Sequence, residues 1–219
     1  MKQDGKEQPV VSFINWDKYK LSPLDLKWSL HETDLNFSTP IGINLLNNVI
    51  AKRYESTLDL NVDELSTEHD QCFLVMVARD GSWRVNTLVK GFAHGVGGFA
   101  SSYSGPGDIL LIGKNKKDMQ LAFERMQAIG GGIVLVENSE ILHEVPLPLI
   151  GRMSNVDMAQ LIQIEKKMIA LLKERGYRYD DPAFTLFFFS ATHLPFIRLT
   201  PSGLYDVKNK EVLVPPMKR

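Results

Sequence analysis

Four polar side chains of types that bind or hydrolyse substrates lie within a short stretch of this sequence: His94, Ser101, Ser102 and Asp108. In serine hydrolases, a histidine oriented by an aspartate takes the proton of the attacking serine. In one large class, that serine lies in a Gly-x-Ser-x-Gly turn between a strand and a helix. The sequence contains no such turn, so a self-contained hydrolase built on Ser102, His94 and Asp108 is the least supported interpretation.

Each of these residues also has a structural and a second functional interpretation. Ser101 and Ser102 either satisfy backbone groups beside neighbouring glycines or donate hydrogen bonds to a ligand or an adjoining domain. Asp108 either caps the turn over residues 105–107 or orients a metal-binding histidine from elsewhere. His94 is either a surface residue of a turn or a contact for a ligand or an adjoining domain.

The segment that carries these residues, 89–113, is rich in glycine and ends in an apolar run. Asp108 opens the run Ile109–Ile112, which indicates a buried strand. The glycines lack the Gly-Lys-Ser/Thr ending of a phosphate-binding loop. The segment therefore calls for tight turns and close backbone approach without predicting a nucleotide site.

Several blocks resemble, in the same order, the C-terminal domain of adenine deaminase, a member of the amidohydrolase superfamily. The resemblance runs from about Gln71 to Val212 and implies the family reaction, hydrolysis of adenine to hypoxanthine and ammonia. It also implies that this chain packs on a metal-binding barrel, shapes the mouth of the active site and helps the enzyme to oligomerise. The blocks are 89–113, 130–134, 147–154, 181–186 and 199–207.

The resemblance does not bring the chemistry of the family into this chain. Amidohydrolases bind metal through a His-x-His pair, and the five histidines here are scattered, with no such pair. A barrel of that kind also needs about 200 residues for itself. We therefore expect no catalytic residue, metal site or cofactor here. The divalent Mn or Fe of the intact enzyme would lie in a barrel from the same polypeptide or a separate subunit.

One block departs from the family pattern. After the paired serines the family has a His-Asp-Ser-His-Asn loop, whereas this chain has the shorter Tyr103–Asp108, which contains no histidine. Any contact that those histidines make in the family has no counterpart here. Together with the polar start at Met1, this loss favours an alternative, a stand-alone binding or assembly module that is derived from the domain and not catalytic.

Composition narrows the class of protein. The 219 residues are 44% hydrophobic with a net charge of -1, which is ordinary for a globular protein and gives no electrostatic footprint for nucleic acid. The lone Cys72 is expected to be buried and fits a reducing cytoplasm. The polar stretch 1–9 predicts no signal peptide, and the apolar run 184–191 is too short to cross a membrane. We expect a cytoplasmic homo-oligomer without nucleic-acid or membrane partners.

The elements that position these residues can be predicted from periodicity. Two β-rich runs around Asp80-Gly81 predict a hairpin over 72–89, and a second hairpin is predicted over 133–145. Asn115 is expected to cap a helix that ends at Gly130. The fold class is α+β or mixed α/β: a layered domain with a mixed sheet, hairpins and two main helices, without a TIM barrel.

Other patterns give less regular expectations. Weak alternation over 57–62 predicts an edge strand, and Lys114, Lys116 and Lys117 are expected on a solvated face. Ser154 and Asp157 predict a capping box for the longest helix, which ends at Gly176. Its apolar stripe is Met158, Leu161, Ile162, Met168, Ile169 and Leu172.

Two aromatic and histidine patterns complete the predictions. Phe184 and Phe187–Phe189 are expected mainly in the core, although three consecutive rings cannot all face one side, so one should meet another chain or domain. His193 is expected to be packed by its neighbours. We divide the chain into an N-terminal segment, 1–43, interpreted as the tail of the amidohydrolase region, and the adenine-deaminase-like domain, 44–219.

Overall fold

The computed structural model describes residues 22–219, in which a large mixed sheet forms the centre. The spatial order of its strands is β2-β1-β4-β3-β6-β5-β7-β8, and β12 pairs with β4 beyond the end of β1. Strands β1 and β4 are parallel, and the other pairs are antiparallel. The strands are β1 (Ile41–Leu45), β2 (Ala51–Glu55), β3 (Gln71–Val77), β4 (Trp83–Lys90), β5 (Gly98–Ser101), β6 (Ile109–Gly113), β7 (Gly132–Glu137), β8 (Glu140–Pro146) and β12 (Met217–Lys218).

Helices and a smaller sheet cover the two faces of this sheet. The small sheet is antiparallel, in the order β11-β10-β9. These elements are a 3-10 turn (Glu32–Leu35), α1 (Lys116–Ala128), α2 (Met158–Glu174), α3 (Pro182–Phe188), β9 (Ile197–Thr200), β10 (Gly203–Asp206) and β11 (Glu211–Val214).

The central strands are buried on both faces, which explains their nearly continuous apolar sequence. In β3, Phe73 and Val75 enter one core, whereas Leu74 and Met76 enter the other. The same alternation separates the side chains of β6. One core is covered by α1 and residues 24–37, and the other by α2, α3 and the small sheet. The layered α+β class is therefore confirmed.

Both predicted hairpins are confirmed. In the first, Gly81 has φ of 74° and its N–H donates to the Ala78 carbonyl at 2.9 Å. This positive φ is the conformation that favours glycine in the Asp-Gly turn. The second hairpin pairs β7 with β8.

The predicted edge strand over residues 57–62 is wrong. The Ser56 hydroxyl accepts the Leu58 N–H, and Asp59 accepts the Asn61 N–H. Such local side-chain bonds compete with a strand ladder because they occupy the backbone donors. The strand lies just before, as β2, which pairs with β1.

The predicted cap of α1 is confirmed, because the Asn115 side chain accepts the backbone N–H groups of Lys117 and Asp118. At α2 the expected capping box is wrong. Asp157 alone caps the helix, accepting from Gln160 N at 2.8 Å, while Ser154 accepts from Val156 N outside it.

The solvated face expected for the lysine cluster is wrong for Lys114, which is 1% exposed. Its ammonium donates to the carbonyls of Ser66 and His69, each at 2.6 Å. Burial lowers the pKa of Lys114, and the negative charge of Asp70 opposes that effect. The lysine therefore fastens the loop before β3 to the start of α1.

The aromatic segment folds as α3, a helix that periodicity did not predict. Asp181 caps it by accepting the Phe184 N–H at 2.7 Å. Phe189, just after the helix, is buried, whereas Phe184 and Phe187 are exposed. His193 is exposed rather than packed, with its ring centroid 6.2 Å from that of Phe188.

The division of the chain at residues 43 and 44 stays a prediction. Residues 1–21 of its first segment lie outside the described part. Leu24, Leu30 and Leu35, from the described part of that segment, are buried against α1 and the sheet. No helix among residues 22–219 has the length and apolar character needed to span a bilayer.

Candidate functional site

Ser101 and Ser102 are buried, and each bonds to backbone groups. The Ser101 hydroxyl donates to the Tyr103 carbonyl and accepts the Tyr103 N–H, at 3.1 and 3.0 Å. Ser102 accepts the Gly132 N–H at 2.8 Å and donates to the Gly151 carbonyl at 2.6 Å. Ser102 thus ties the end of β5 to β7 and to the 147–154 loop. A contact with substrate or barrel stays a prediction for both serines.

Replacing Ser102 by alanine tests whether its role is structural. The change leaves a buried N–H and a buried carbonyl without their partner, which destabilises by about 1–3 kcal/mol. We expect urea unfolding to show that loss, with Ser202→Ala as the control at an exposed hydroxyl. An unchanged unfolding midpoint for Ser102→Ala would contradict the structural role.

Asp108 and His94 lie in different surface depressions. The Asp108 carboxylate accepts the Arg79 N–H at 3.1 Å, and burial raises its pKa. The expected cap of turn 105–107 is wrong: Ser104 accepts the Gly107 N–H and donates to the Asp108 carbonyl. His94 borders a separate depression with Arg175, whose carbonyl accepts the His94 N–H. These positions do not assemble a Ser-His-Asp triad.

Cysteine and metal chemistry are equally unsupported by the described residues. Cys72 is fully buried, as predicted, and burial raises the pKa of its thiol to about 12. That value keeps the thiol protonated and unreactive near neutral pH. Within residues 22–219, no three His, Cys, Asp or Glu side chains converge in a group that could hold a metal ion. Residues 22–219 thus offer no ligand set for the metal that the resemblance implies.

The main candidate site is an apolar pocket of about 420 Å³ between α2, α3 and the large sheet. Its floor comes from β5, β7 and β8, and its walls come from the 147–156 segment and the two helices. Enclosed apolar pockets with a few polar groups are the usual form of binding sites. The lining residues are Phe99, Tyr103, Ile133, Val145, Leu147, Arg152, Met153, Ser154, Val156, Met158, Leu161, Glu165, Met168, Pro182 and Ala183.

The polar groups of the pocket link it to the glycine-rich segment. Arg152 Nη2 donates to the Gly105 carbonyl at 3.2 Å and passes so close to Gly107 that a Cβ there would meet it at 2.2 Å. Arg152 therefore connects loop 103–108 to the pocket. Burial raises the pKa of Glu165, and the negative charge of Asp181 raises it further.

The rim of the pocket is unusually apolar. We use the name α2–α3 face for the exposed apolar side chains around the pocket. Six of the nine large hydrophobic residues exposed among residues 22–219 belong to this face, a concentration that is unusual for a protein surface. Its members are Met153, Val156, Met158, Ile162, Phe184 and Phe187.

Sequence reasoning missed this site because it identified the apolar stripe of α2 but not which part of the stripe is exposed. Only the second half of that stripe is deeply buried, at Met168 and Leu172, whereas Met158 is 70% exposed and Ile162 is 40% exposed. A usable signal was present, since the stripe continues to the very first turn of a helix that enters from the exposed 154–157 segment.

Comparison with known proteins identifies sequence relatives of this chain. The sequence model of the family described as "Adenine deaminase C-terminal domain" matches residues 48–211. A Bacillus cereus protein named "Putative adenine deaminase" is 58% identical over 217 residues. The Bacillus subtilis protein "Putative adenine deaminase YerA" is 47% identical over 219 residues. A Bacillus subtilis protein named "Adenine deaminase" is 33% identical over 153 residues, covering 67% of this chain and 26% of its own length.

The lengths of these proteins differ greatly. The first two matches cover 99% and 100% of this chain but 37% and 38% of the relatives. The chain thus spans little more than a third of the length of those relatives, and the family model covers most of the chain. The chain belongs to the adenine deaminase C-terminal domain family.

Proposed function

We propose that this chain acts as the non-catalytic C-terminal domain of an adenine-deaminase-type amidohydrolase. In that enzyme it packs on a metal-binding barrel and completes the surroundings of the active site. The barrel supplies the divalent metal, Mn or Fe, and the full enzyme hydrolyses adenine to hypoxanthine and ammonia in cytoplasmic purine metabolism. The domain also contributes to a homo-oligomer.

The observation that carries this proposal is the mismatch in length. The alignment with a Bacillus cereus relative covers 99% of this chain but 37% of that relative. A catalytic metal site needs about three converging protein ligands, and the described residues offer no such group. The uncovered part of the relatives is long enough for a barrel of about 200 residues or more.

A domain exchange tests this proposal. In the Bacillus cereus relative, the matched C-terminal part is replaced by this chain, and adenine loss is followed by absorbance. We expect the chimera to turn over adenine, because the two domains are 58% identical. The relative truncated before the matched part serves as the control and is expected to lose turnover. A folded chimera without turnover would contradict the proposal.

A second candidate function is a stand-alone binding or assembly module derived from the same domain. One observation favours it: residues 22–219 by themselves form an apolar pocket of about 420 Å³. Such a module would not need a barrel. It predicts that the exchanged domain fails to support turnover, whereas the proposed accessory role predicts that it succeeds.

A further inference from the structure

The α2–α3 face has the features of an interface and not of ordinary protein surface. Large exposed apolar residues are concentrated there, around a pocket that could accept a side chain. Monomeric proteins seldom leave such patches uncovered. Elsewhere in the described chain, exposed large apolar residues are scattered singly, as at Leu46, Ile141 and Val212.

Charge adds a second feature to this face. Glu165 lines the pocket among apolar side chains, and the salt bridges between residues 22 and 219 do not include it. Arg152, in the same pocket, is directed to the Gly105 carbonyl. A half-buried carboxylate without a cation is unfavourable, and a partner that brings a lysine or arginine would stabilise it.

The length of the relatives indicates which partner covers the α2–α3 face. The matched part is described as a C-terminal domain, so most of the remaining 63% of the Bacillus cereus relative precedes it in the same polypeptide. A tethered segment has a high effective concentration at its neighbour, so even a modest apolar contact is kept. A second copy of this chain or a free small molecule would lack this advantage.

We propose that the α2–α3 face docks the N-terminal part of a full-length adenine deaminase chain, with an apolar side chain in the pocket and a lysine or arginine beside Glu165. This inference rests on the proposed function and names its contact surface. The predicted contact lies on the 152–162 segment and α3, next to loop 103–108. Loop 103–108 would then lie at the boundary between the two parts of the enzyme.

Hydrogen–deuterium exchange on the chimera and on the isolated chain tests this surface directly. We expect the amides of residues 153–162 and 182–188 to exchange more slowly in the chimera than in the isolated chain, by about tenfold or more, because docking stabilises them. The pair Met158→Glu and Ile162→Glu should abolish that protection, because charges would enter the centre of an apolar contact. Both residues are exposed, so thermal unfolding of the isolated chain should not change.

The matched control places the same charges on exposed apolar residues outside the face. Leu46 is 49% exposed and Val212 is 42% exposed. The pair Leu46→Glu and Val212→Glu should leave protection intact. As a second variant, Glu165→Lys should weaken protection because it opposes the partner's cation, whereas Glu165→Gln should weaken it less.

The outcomes separate the two proposals. An active chimera without protection at these residues overturns the docking surface and leaves the accessory function standing. A folded chimera with neither turnover nor protection overturns both. Protection of the same residues in the isolated chain by adenine alone would assign the pocket to a small ligand and would also overturn the docking surface.

Discussion

Replacing Gly98 by alanine is expected to destabilise the domain by more than about 3 kcal/mol, because an added methyl group meets backbone on a neighbouring helix. Gly98 begins β5, which pairs with both β6 and β7. A Cβ at this position would lie 2.1 Å from both the carbonyl carbon and the oxygen of Asp118 in α1. Backbone atoms cannot rotate away, so strand and helix would have to separate.

The control for this prediction lies three residues earlier in the same segment. A Cβ at Gly95 would meet its nearest atom, in the Arg175 side chain, at 3.7 Å, which is ordinary contact. Gly95→Ala should therefore change stability by less than about 1 kcal/mol. Urea unfolding of both variants measures the difference. Similar midpoints for the two would show that α1 does not approach β5 as closely as described.

Replacing Asp34 by alanine should cost about 3–5 kcal/mol, since it leaves two largely buried guanidinium groups without their counter-charge. Asp34 is 5% exposed, and its carboxylate pairs with Arg84 at 3.2 Å and with Arg219. It also accepts the His31 N–H at 2.9 Å. Arg219 in turn lies over the ring of Trp28, at 4.4 Å from its centroid. The aspartate thus joins β4 and the residue after β12 to the 3-10 turn.

Chemical unfolding of Asp34→Ala beside Asp25→Ala measures this effect. Asp25 pairs with Lys27 in an exposed salt bridge, whose loss should cost about 0–1 kcal/mol. If the two variants were equally stable, the buried network would contribute nothing beyond an ordinary surface pair.

The same carboxylate predicts how stability depends on pH. Burial alone would raise the pKa of Asp34, but the Arg219 and His31 hydrogen bonds and the arginine charges outweigh it and lower the pKa below its ordinary value. A lowered folded pKa means that the unfolded chain binds the proton first. The stabilisation that ionised Asp34 contributes is therefore complete above about pH 5. It is lost as the pH falls through the lowered pKa of the folded state. Asp34→Ala should remove that acid-dependent part of unfolding.

Local patterns predicted much of the fold. The Asp80-Gly81 turn, the Asn115 cap and the second hairpin depend on residues close in sequence, and each is confirmed. The same patterns did not predict features that depend on long-range contacts. Lys114 is buried because carbonyls from Ser66 and His69 reach it across the fold, which no local charge pattern reveals. The short helix α3 was not predicted because a run of consecutive phenylalanines shows no helical periodicity.

The candidate site was less predictable than the fold. Ser101 and Ser102 stood out in the sequence as polar residues among glycines. In the fold, their hydroxyls form hydrogen bonds with backbone groups. The pocket is built instead from apolar residues of distant segments, and its polar members Arg152 and Glu165 looked ordinary in sequence. The exposed part of an apolar stripe can be told from its buried part only when the elements that pack against each helix are known.

Adenine loss catalysed by the purified chain, with and without added Mn(II) or Fe(II), tests most directly whether this domain depends on a barrel for its chemistry. Metal analysis of the same preparation accompanies the assay. The account predicts no turnover in either condition and no stoichiometric transition metal. Metal-dependent turnover by this chain alone, together with tightly bound metal, would contradict it and locate the catalytic centre within these 219 residues.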